Sequence, residues 1–297
     1  EIVVFIDLRQ IRDSELVKAK KDAVEQGQMS LAKIWARDNP GLQYLKDAEF
    51  DIFHDLHAMA TAINGNEKMT VSIYEGTFNV AKWTATAEKI ARENPDVIKI
   101  TKLGSQSIYE INHGGFFTLL NGKLVSATTK EHLTHALERL AGIETFNEKK
   151  KEIALLLDTA NNKSNIHFVA TGIGLAKLAA RARDSNGKAV VPWLGMFEDR
   201  LQNIERVAGA VNVGKEVQFK FDISAKDEAI ANKLEQAGSA LLLLAKLQFN
   251  QQADDERNVP LVDIAKTLRI TSQGNNILLS GTVSRDVVEK LMENIPR

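Results

Sequence analysis

The sequence predicts an α+β protein of two tandem repeats, each an antiparallel sheet with a three-stranded meander, covered on one face by helices. Three observations predict it. First, Ser107–Leu140 reads as three short strand-like runs, two tight turns and an amphipathic helix. Second, a blurred copy, TLRITSQGNNILLSGTVSRDVVEKLM, closes the chain from Thr267 to Met292, pairing Ser126 with Ser280, Leu133 with Val287 and Leu137 with Leu291, each 154 residues apart. Third, upstream segments recur at 148 residues: Leu56, Met59, Ala60, Ala62 and Ile63 are echoed by Ile204, Val207, Ala208, Ala210 and Val211, and Met69, Val71 and Ile73 by Val217, Phe219 and Phe221. One long period carried through several elements points to internal duplication. The two repeats are expected over residues 1–146 and 147–297, meeting near the charged stretch Glu144–Lys151.

The elements follow in order. Ile2–Leu8 is a short β-branched run, hence a buried strand. Asp13 or Ser14 caps a helix carrying Leu16, Val17 and Val24, and Asn39-Pro40-Gly41 breaks the chain. A helix is expected over roughly Leu42–Ala48, either separate from or joined to one over Ile52–Ile63 that ends at Asn64-Gly65-Asn66. Met69–Tyr74 alternates apolar and polar residues, a half-buried strand. Asn79 caps a helix that buries Trp83, Ala87, Ile90 and Ala91, and Asn94-Pro95-Asp96 stops it. Val97, Ile98 and Ile100 then lead into the meander. Within the meander, Asn121-Gly122 is the strongest local turn signal, because a two-residue hairpin turn needs positive φ. Strands joined this tightly are antiparallel. Leu133, Ala136, Leu137 and Leu140 then place one apolar helix face on the sheet.

The second half opens on a strand at Ile166–Ala170 and a helix at about Leu175–Arg183. After Ser185-Asn186-Gly187, Pro192 opens the next helix, in which 204–211 echo the helical 56–63. A strand from Val217 to Phe221 and a helix with Ile230, Leu234, Ala237 and Leu241 follow, before the polar loop Asn250–Asn258.

Composition narrows the function. With 44% hydrophobic and 26% charged residues the chain is an ordinary folded protein. A net charge of −1 implies no global attraction to nucleic acid or anionic membrane. The sequence has no cysteine, which excludes disulfides, thiolate metal sites and cysteine nucleophiles. No apolar run is long enough to span a membrane, so a membrane role is expected only through an N-terminal anchor upstream of Glu1. The chain starts at Glu1 and is strand-like by Ile2, as it would be after removal of an export signal or membrane anchor, or in a fragment of a longer chain.

The succession of strand, helix, FDIFHDLHAMATAI, VSIYEGTFN, IYEI and LVSATTKEHLTHALERLAG is similar to a group of uncharacterised exported proteins common in planctomycete-type bacteria. Most of the chain carries the resemblance. It implies tandem α+β repeats behind a signal or anchor and an extracytoplasmic (periplasmic or cell-envelope) location, and it carries over no functional residue.

Candidate chemistry starts with the histidines. His54/His57 and His132/His135 form two HxxH pairs on expected helices, and a spacing of three brings both rings within reach of one metal ion. Asp51 and Asp55 flank the first pair, so His54, His57 and Asp51 are the candidate metal ligands. Neither pair reads HExxH, and the second half has no counterpart; surface histidines on amphipathic helices are the plainer reading. Gly172-Ile173-Gly174 lies between a strand and a helix, as a phosphate loop does, but Lys177 stands where a dinucleotide fingerprint needs glycine. A glycine-containing turn explains it better. No serine-nucleophile elbow occurs. Asp254-Asp255 reads as solvated loop, Asp7 and Asp222 at strand ends as catalytic carboxylates or, more plainly, strand-end caps, and Lys149–Lys151 is balanced by neighbouring glutamates. Trp35 and Trp83 fall on apolar faces, and Trp193 sits at a helix start.

The expected function is a non-enzymatic extracytoplasmic module, without cofactor, that binds a protein or small molecule or serves a structural role. The alternatives are a metal-dependent hydrolase using the HxxH pairs, and a carrier of an apolar ligand held between sheet and helices. An apolar cavity would favour the carrier; a filled core would exclude it.

Overall fold

A computed structural model describes residues 2–19, 21, 43–64, 69–112, 115–142, 164–181, 201–251 and 259–293. The chain divides into two compact units. The first holds residues 5–12 and 20–151, and the second holds 1–4, 13–19 and 152–297. Strand β1 (Ile2–Asp7) therefore gives residues to both. Helix α1 (Leu8–Asp13) follows it, and Asp7 Oδ1 accepts a hydrogen bond from the Gln10 amide at 2.8 Å, capping the start of the helix. In the short helix α2 (Glu15–Ala19), Ser14 Oγ accepts from the Val17 amide and Leu16 is buried.

In the first unit, α3 (Gln43–Asp47) is a single helical turn that ends on Glu49 at φ 50°, a left-handed stop. The segment 56–63, expected to be helical, is instead strand β2 (Leu56–Asn64), paired antiparallel with β3 (Met69–Gly76) from Leu56↔Gly76 to Asn64↔Met69. After α4 (Val80–Glu93) come β4 (Ile98–Leu103), β5 (Gln106–Ile111), β6 (Gly115–Leu120) and β7 (Lys123–Ala127). They form a meander whose last strand pairs back onto β3, giving the order β2-β3-β7-β6-β5-β4. The β6–β7 turn is the one expected: Asn121 and Gly122 both have positive φ, 51° and 74°. Helix α5 (Lys130–Leu140) closes the unit, capped by Thr129.

Helices cover both faces of this sheet, which corrects the expectation of one. The register sorts the side chains. Val71, Ile73, Phe116 and Val125 pack with Leu133 and Leu137 of α5, so that Leu133 and Val125 are 0% exposed. On the opposite face, Ile98, Tyr109 and Phe117 pack with Ala87 and Ile90 of α4. Leu140, expected on the packed face, is 44% exposed at the end of α5.

The second unit has β8 (Ile166–Thr171) followed directly by α6 (Gly172–Arg181). The segment 204–211, also expected to be helical, lies in β9 (Ile204–Val213), which pairs with both β8 and β10 (Val217–Ala225). Then come α7 (Glu228–Gln251), α8 (Val259–Thr267), β11 (Arg269–Gln273), β12 (Asn276–Val283) and α9 (Arg285–Glu293). The strand order is β11-β12-β10-β9-β8. Ile230, Ala231 and Leu234 of α7 pack on Ile223, Ile270 and Ile277. Among the described residues, no helix is long and apolar enough to cross a membrane. The architecture is α+β, with large antiparallel sheets and packed helices.

Candidate functional site: an apolar cavity in the first unit

The metal candidates do not assemble. Residues 52–55 form a turn and His57 lies in β2, so the helical spacing behind the first HxxH pair is absent. Asp51 is instead the keystone of that turn. Its Oδ2 accepts from His54 Nδ1 at 2.8 Å and its Oδ1 from the Phe53 amide at 2.8 Å, while the Asp51 amide donates to Asp55 Oδ2. Burial pulls the Asp51 carboxyl upward, but the hydrogen bonds from His54 and Phe53 outweigh it and hold the group below its ordinary 3.8. His57 Nδ1 accepts from Arg9 Nη2 at 2.7 Å, so its lone pair is taken and a guanidinium cation stands where a metal would have to sit. Its Nε2 lies 3.3 Å from Thr77 Oγ1. His132 and His135 do lie on a helix. His132 Nδ1 contacts the cap hydroxyl of Thr129, and His135 faces Glu131 and Glu138. Among the described residues no three His, Asp or Glu side chains gather to hold a metal ion.

Gly172 has a packing explanation. A Cβ there would fall inside contact distance of the carbonyl oxygens of Leu201 and Ile204, so the residue is set by close backbone approach between α6 and β9. Asp222 lies on β10 and its Oδ1 is buried without a hydrogen-bond partner among the described residues. It borders a polar groove of about 540 Å³ in the second unit, shared with Arg206, Asn212 and Lys220. Trp35, Trp193, His113, Lys149–Lys151 and Asp254-Asp255 lie outside the described residues.

The feature that stands out is a cavity of about 470 Å³ between α3, α4 and the sheet of the first unit. Its floor is the sheet face that carries Leu56, Tyr74, Phe117 and Leu124. Its roof is set by local sequence. Asn79 Oδ1 accepts from the Lys82 amide at 3.1 Å, starting α4 so that Trp83, Thr86, Ala87 and Ile90 turn to the cavity. The left-handed stop at Glu49 directs the chain to Phe50, whose amide closes on Leu45 O at 2.8 Å. Lys82 pairs with Glu49, tying the end of α3 to α4. Arg12 Nη1 donates to Phe53 O and Leu56 O at 2.9 and 2.7 Å and pins the turn beneath. Phe50 and Phe78 stack at 4.9 Å and both meet Trp83 edge-on, at 5.5 and 5.7 Å. Among the described lining residues none is charged. The volume falls within the range of small-molecule sites.

The sequence marked Trp83, Ala87 and Ile90 as an apolar helix face, and a filled core satisfies that pattern equally well. The missed signal was Phe50, Phe78 and Trp83 together. They are three aromatics in a chain where only 6% of residues are aromatic, two of them in loops flanking β2 and β3.

One titration is a stability probe for the second unit. Burial holds the His167 imidazole below its ordinary 6.5, against a smaller upward pull from a backbone hydrogen bond with Ser164. The unfolded chain then binds this proton first, so stability is full above about pH 6.5 and falls as pH drops below it. His167→Phe is expected to flatten the decline of the urea midpoint between pH 7 and pH 5; an unchanged slope would assign that decline to other groups.

No protein-family model matches the chain, and no curated protein matches it. The chain is similar in fold to TP0453, a Treponema protein. Against its crystal form III the TM-score is 0.50 at 10% sequence identity, covering 98% of this chain and 94% of that one. Against crystal form I the TM-score is 0.49 at 10% identity, covering 98% and 92%. The first likeness extends over nearly all of both chains and is one of α+β fold.

Proposed function

We propose that this protein is a non-enzymatic binding module that holds an apolar small molecule in the first unit, between α3–α4 and the sheet. The observation that supports the reading is the uncharged cavity of about 470 Å³ walled by Phe50, Phe78 and Trp83. Close-packed interiors leave few voids larger than a water molecule. This pocket is open to solvent on one side, and water lying against its apolar walls is released favourably when an apolar group covers them. A hydrocarbon group loses nothing on entry and gains about 25 cal/mol for each Å² of apolar surface removed from water. The polar groove of the second unit supports a ligand less well, since charged and amide side chains on a sheet face are well served by solvent.

The test fills the cavity. Thr86→Phe places a ring in it from α4, and Leu124→Phe does so from the sheet. Binding of the neutral dye Nile red, followed by fluorescence, is expected to weaken at least about tenfold in each while melting temperature holds or rises. Thr86→Val, nearly equal in volume, is expected to bind like the parent. Unchanged affinity in both filled variants would end the proposal.

We also infer that the two units are tandem repeats of one ancestral fold. The order β2-β3-β7-β6 in the first matches β9-β10-β12-β11 in the second, and in each unit a helix follows the first hairpin and another closes the chain segment. The first unit adds β4 and β5 where the second has the long α7 and then α8. A solved relative whose halves differ in strand order would sink this reading.

A further inference from the structure

The polar groove of the second unit carries its charges in an order that suits one kind of ligand. Its lining comes largely from one face of the sheet. On β10, Lys220 pairs across from Ala210 and Ser280, and Asp222 from Ala208 and Leu278. On β9, Arg206 pairs across from Ser224. Ala208 and Ala210 set only methyl groups between these longer side chains, which hollows the face along β9 to about 540 Å³. Asp222 lies two residues from Lys220 on its own strand, about 7 Å, and diagonal to Arg206 on the next, about 7–8 Å. A carboxylate at that spacing between two cations is expected to pair with one of them. Here all three residues line the groove, and no side chain of the three makes an ion pair or hydrogen bond among the described residues. Lys220 is exposed, whereas Arg206 and Asp222 are half-buried. Asp222 Oδ1 is buried without a partner, so solvation of that carboxylate falls to Oδ2 alone.

A simple anion drawn by Arg206 and Lys220 would meet the Asp222 carboxylate between them. A simple cation drawn by Asp222 would meet two charges of its own sign. A molecule that carries both charges meets neither conflict. We propose that the groove binds a small zwitterion, a free amino acid or a short peptide. Its ammonium donates to Asp222 Oδ2, and its carboxylate accepts from Arg206 and Lys220. The remainder of the molecule lies over Ala208 and Ala210 toward the amides of Asn212 and Gln218, which suits a polar, uncharged side chain. This site is separate from the apolar cavity of the first unit and does not depend on that reading.

Isothermal titration calorimetry on the full chain tests it with four probes at pH 7. L-glutamine and L-alanyl-L-glutamine are zwitterions and separate a free amino acid from a peptide. N-acetyl-L-glutamine keeps only the carboxylate, and L-glutaminamide keeps only the ammonium. Charge-assisted hydrogen bonds predict that the better zwitterion binds at least about tenfold tighter than either single-charge analogue. Asp222→Asn is expected to weaken that zwitterion at least about tenfold and to strengthen N-acetylglutamine, because the repelling charge is gone. A merely damaged groove would weaken both, and that result would overturn the proposal. Should Asp222→Asn fail to fold, Lys220→Gln at its exposed position replaces it. It is expected to weaken the zwitterion about threefold or more and to strengthen glutaminamide. Equal binding of zwitterions and analogues, or tightest binding of either analogue, would overturn the proposal. So would the absence of binding by all four probes at about 10 mM. Nile red binding by the first unit, which contains none of these residues, is read separately and is expected to be unchanged in both variants.

Discussion

Gly172→Ala is expected to destabilise the second unit by about 2–3 kcal/mol, and millimolar nucleotide is expected to leave the melting temperature of the parent unchanged. The two expectations separate the readings that the sequence leaves open for the Gly172-Ile173-Gly174 segment. In a phosphate loop, glycine keeps space free for a ligand beside the backbone, and an added methyl group would cost affinity more than stability. Here the space is already occupied by protein. The added Cβ would meet the carbonyl oxygens of Leu201 and Ile204, both backbone atoms that cannot swing aside as a side chain can. Gly172 is also the first residue of α6, where alanine gains up to about 1 kcal/mol over glycine in helix propensity. The clash must exceed that gain before any loss is seen, so a measured loss understates the collision. Urea unfolding followed by circular dichroism checks the first expectation. A variant as stable as the parent would mean that α6 and β9 do not approach closely, and a melting temperature raised by nucleotide would restore the phosphate reading.

The same region shows how far the sequence could be read. Turns and caps carried their own chemistry and were legible one by one: Asn121-Gly122 turns the hairpin, Asn79 and Thr129 cap helices, and the helix before Asn94-Pro95 ends at Glu93. The strands β2 and β9 were not. Their sequences, LHAMATAIN and IERVAGAVNV, are alanine-rich, and their apolar residues recur at spacings that fit a helix. For β2 the physical reason is the two-sided burial of the first sheet. In β2, Ala58, Ala60 and Ala62 pair across from Glu75, Ile73 and Val71, whereas Met59, Thr61 and Ile63 pair across from Tyr74, Ser72 and Thr70. Apolar residues are therefore needed on both faces, the alternation that betrays a one-sided strand disappears, and tertiary pairing overrides the helical preference of alanine. The offset of 148 residues does not depend on which element is assigned, because it compares one stretch of sequence with another. The helical spacing read for His54 and His57 went with the helix it needed, since a ring at 54 in a turn and one at 57 in a strand share no helical face. The cavity was illegible for a different reason. Apolar residues that surround a void and those that fill a core obey the same pattern, and only packing tells them apart.

That packing difference leads to a second large effect, set by the two faces of one sheet. Leu133→Ala and Ile90→Ala each remove three carbon atoms from a buried side chain, so each loses about 2.4 kcal/mol of transfer free energy. Leu133 is 0% exposed and is enclosed by Ile108, Val125, Ala127 and the residues around them, a filled face. Its truncation opens a new void and adds a cavity cost of about 24 cal/mol per Å³ that the neighbours cannot relieve. Ile90 is nearly as buried, at 4%, but it borders the cavity of the opposite face, where space is already present. Its truncation enlarges that space rather than creating one, and the side chain had fewer contacts to lose on that side. The expected losses are about 4 kcal/mol for Leu133→Ala and about 2–3 kcal/mol for Ile90→Ala, measured by urea unfolding of delipidated protein. Both residues belong to the first unit, so the two values come from the same transition. Nile red is expected to bind Ile90→Ala at least as tightly as the parent. An Ile90→Ala loss equal to or above that of Leu133→Ala would mean that the α4 face is as well filled as the α5 face, and the room claimed for a ligand would not be there.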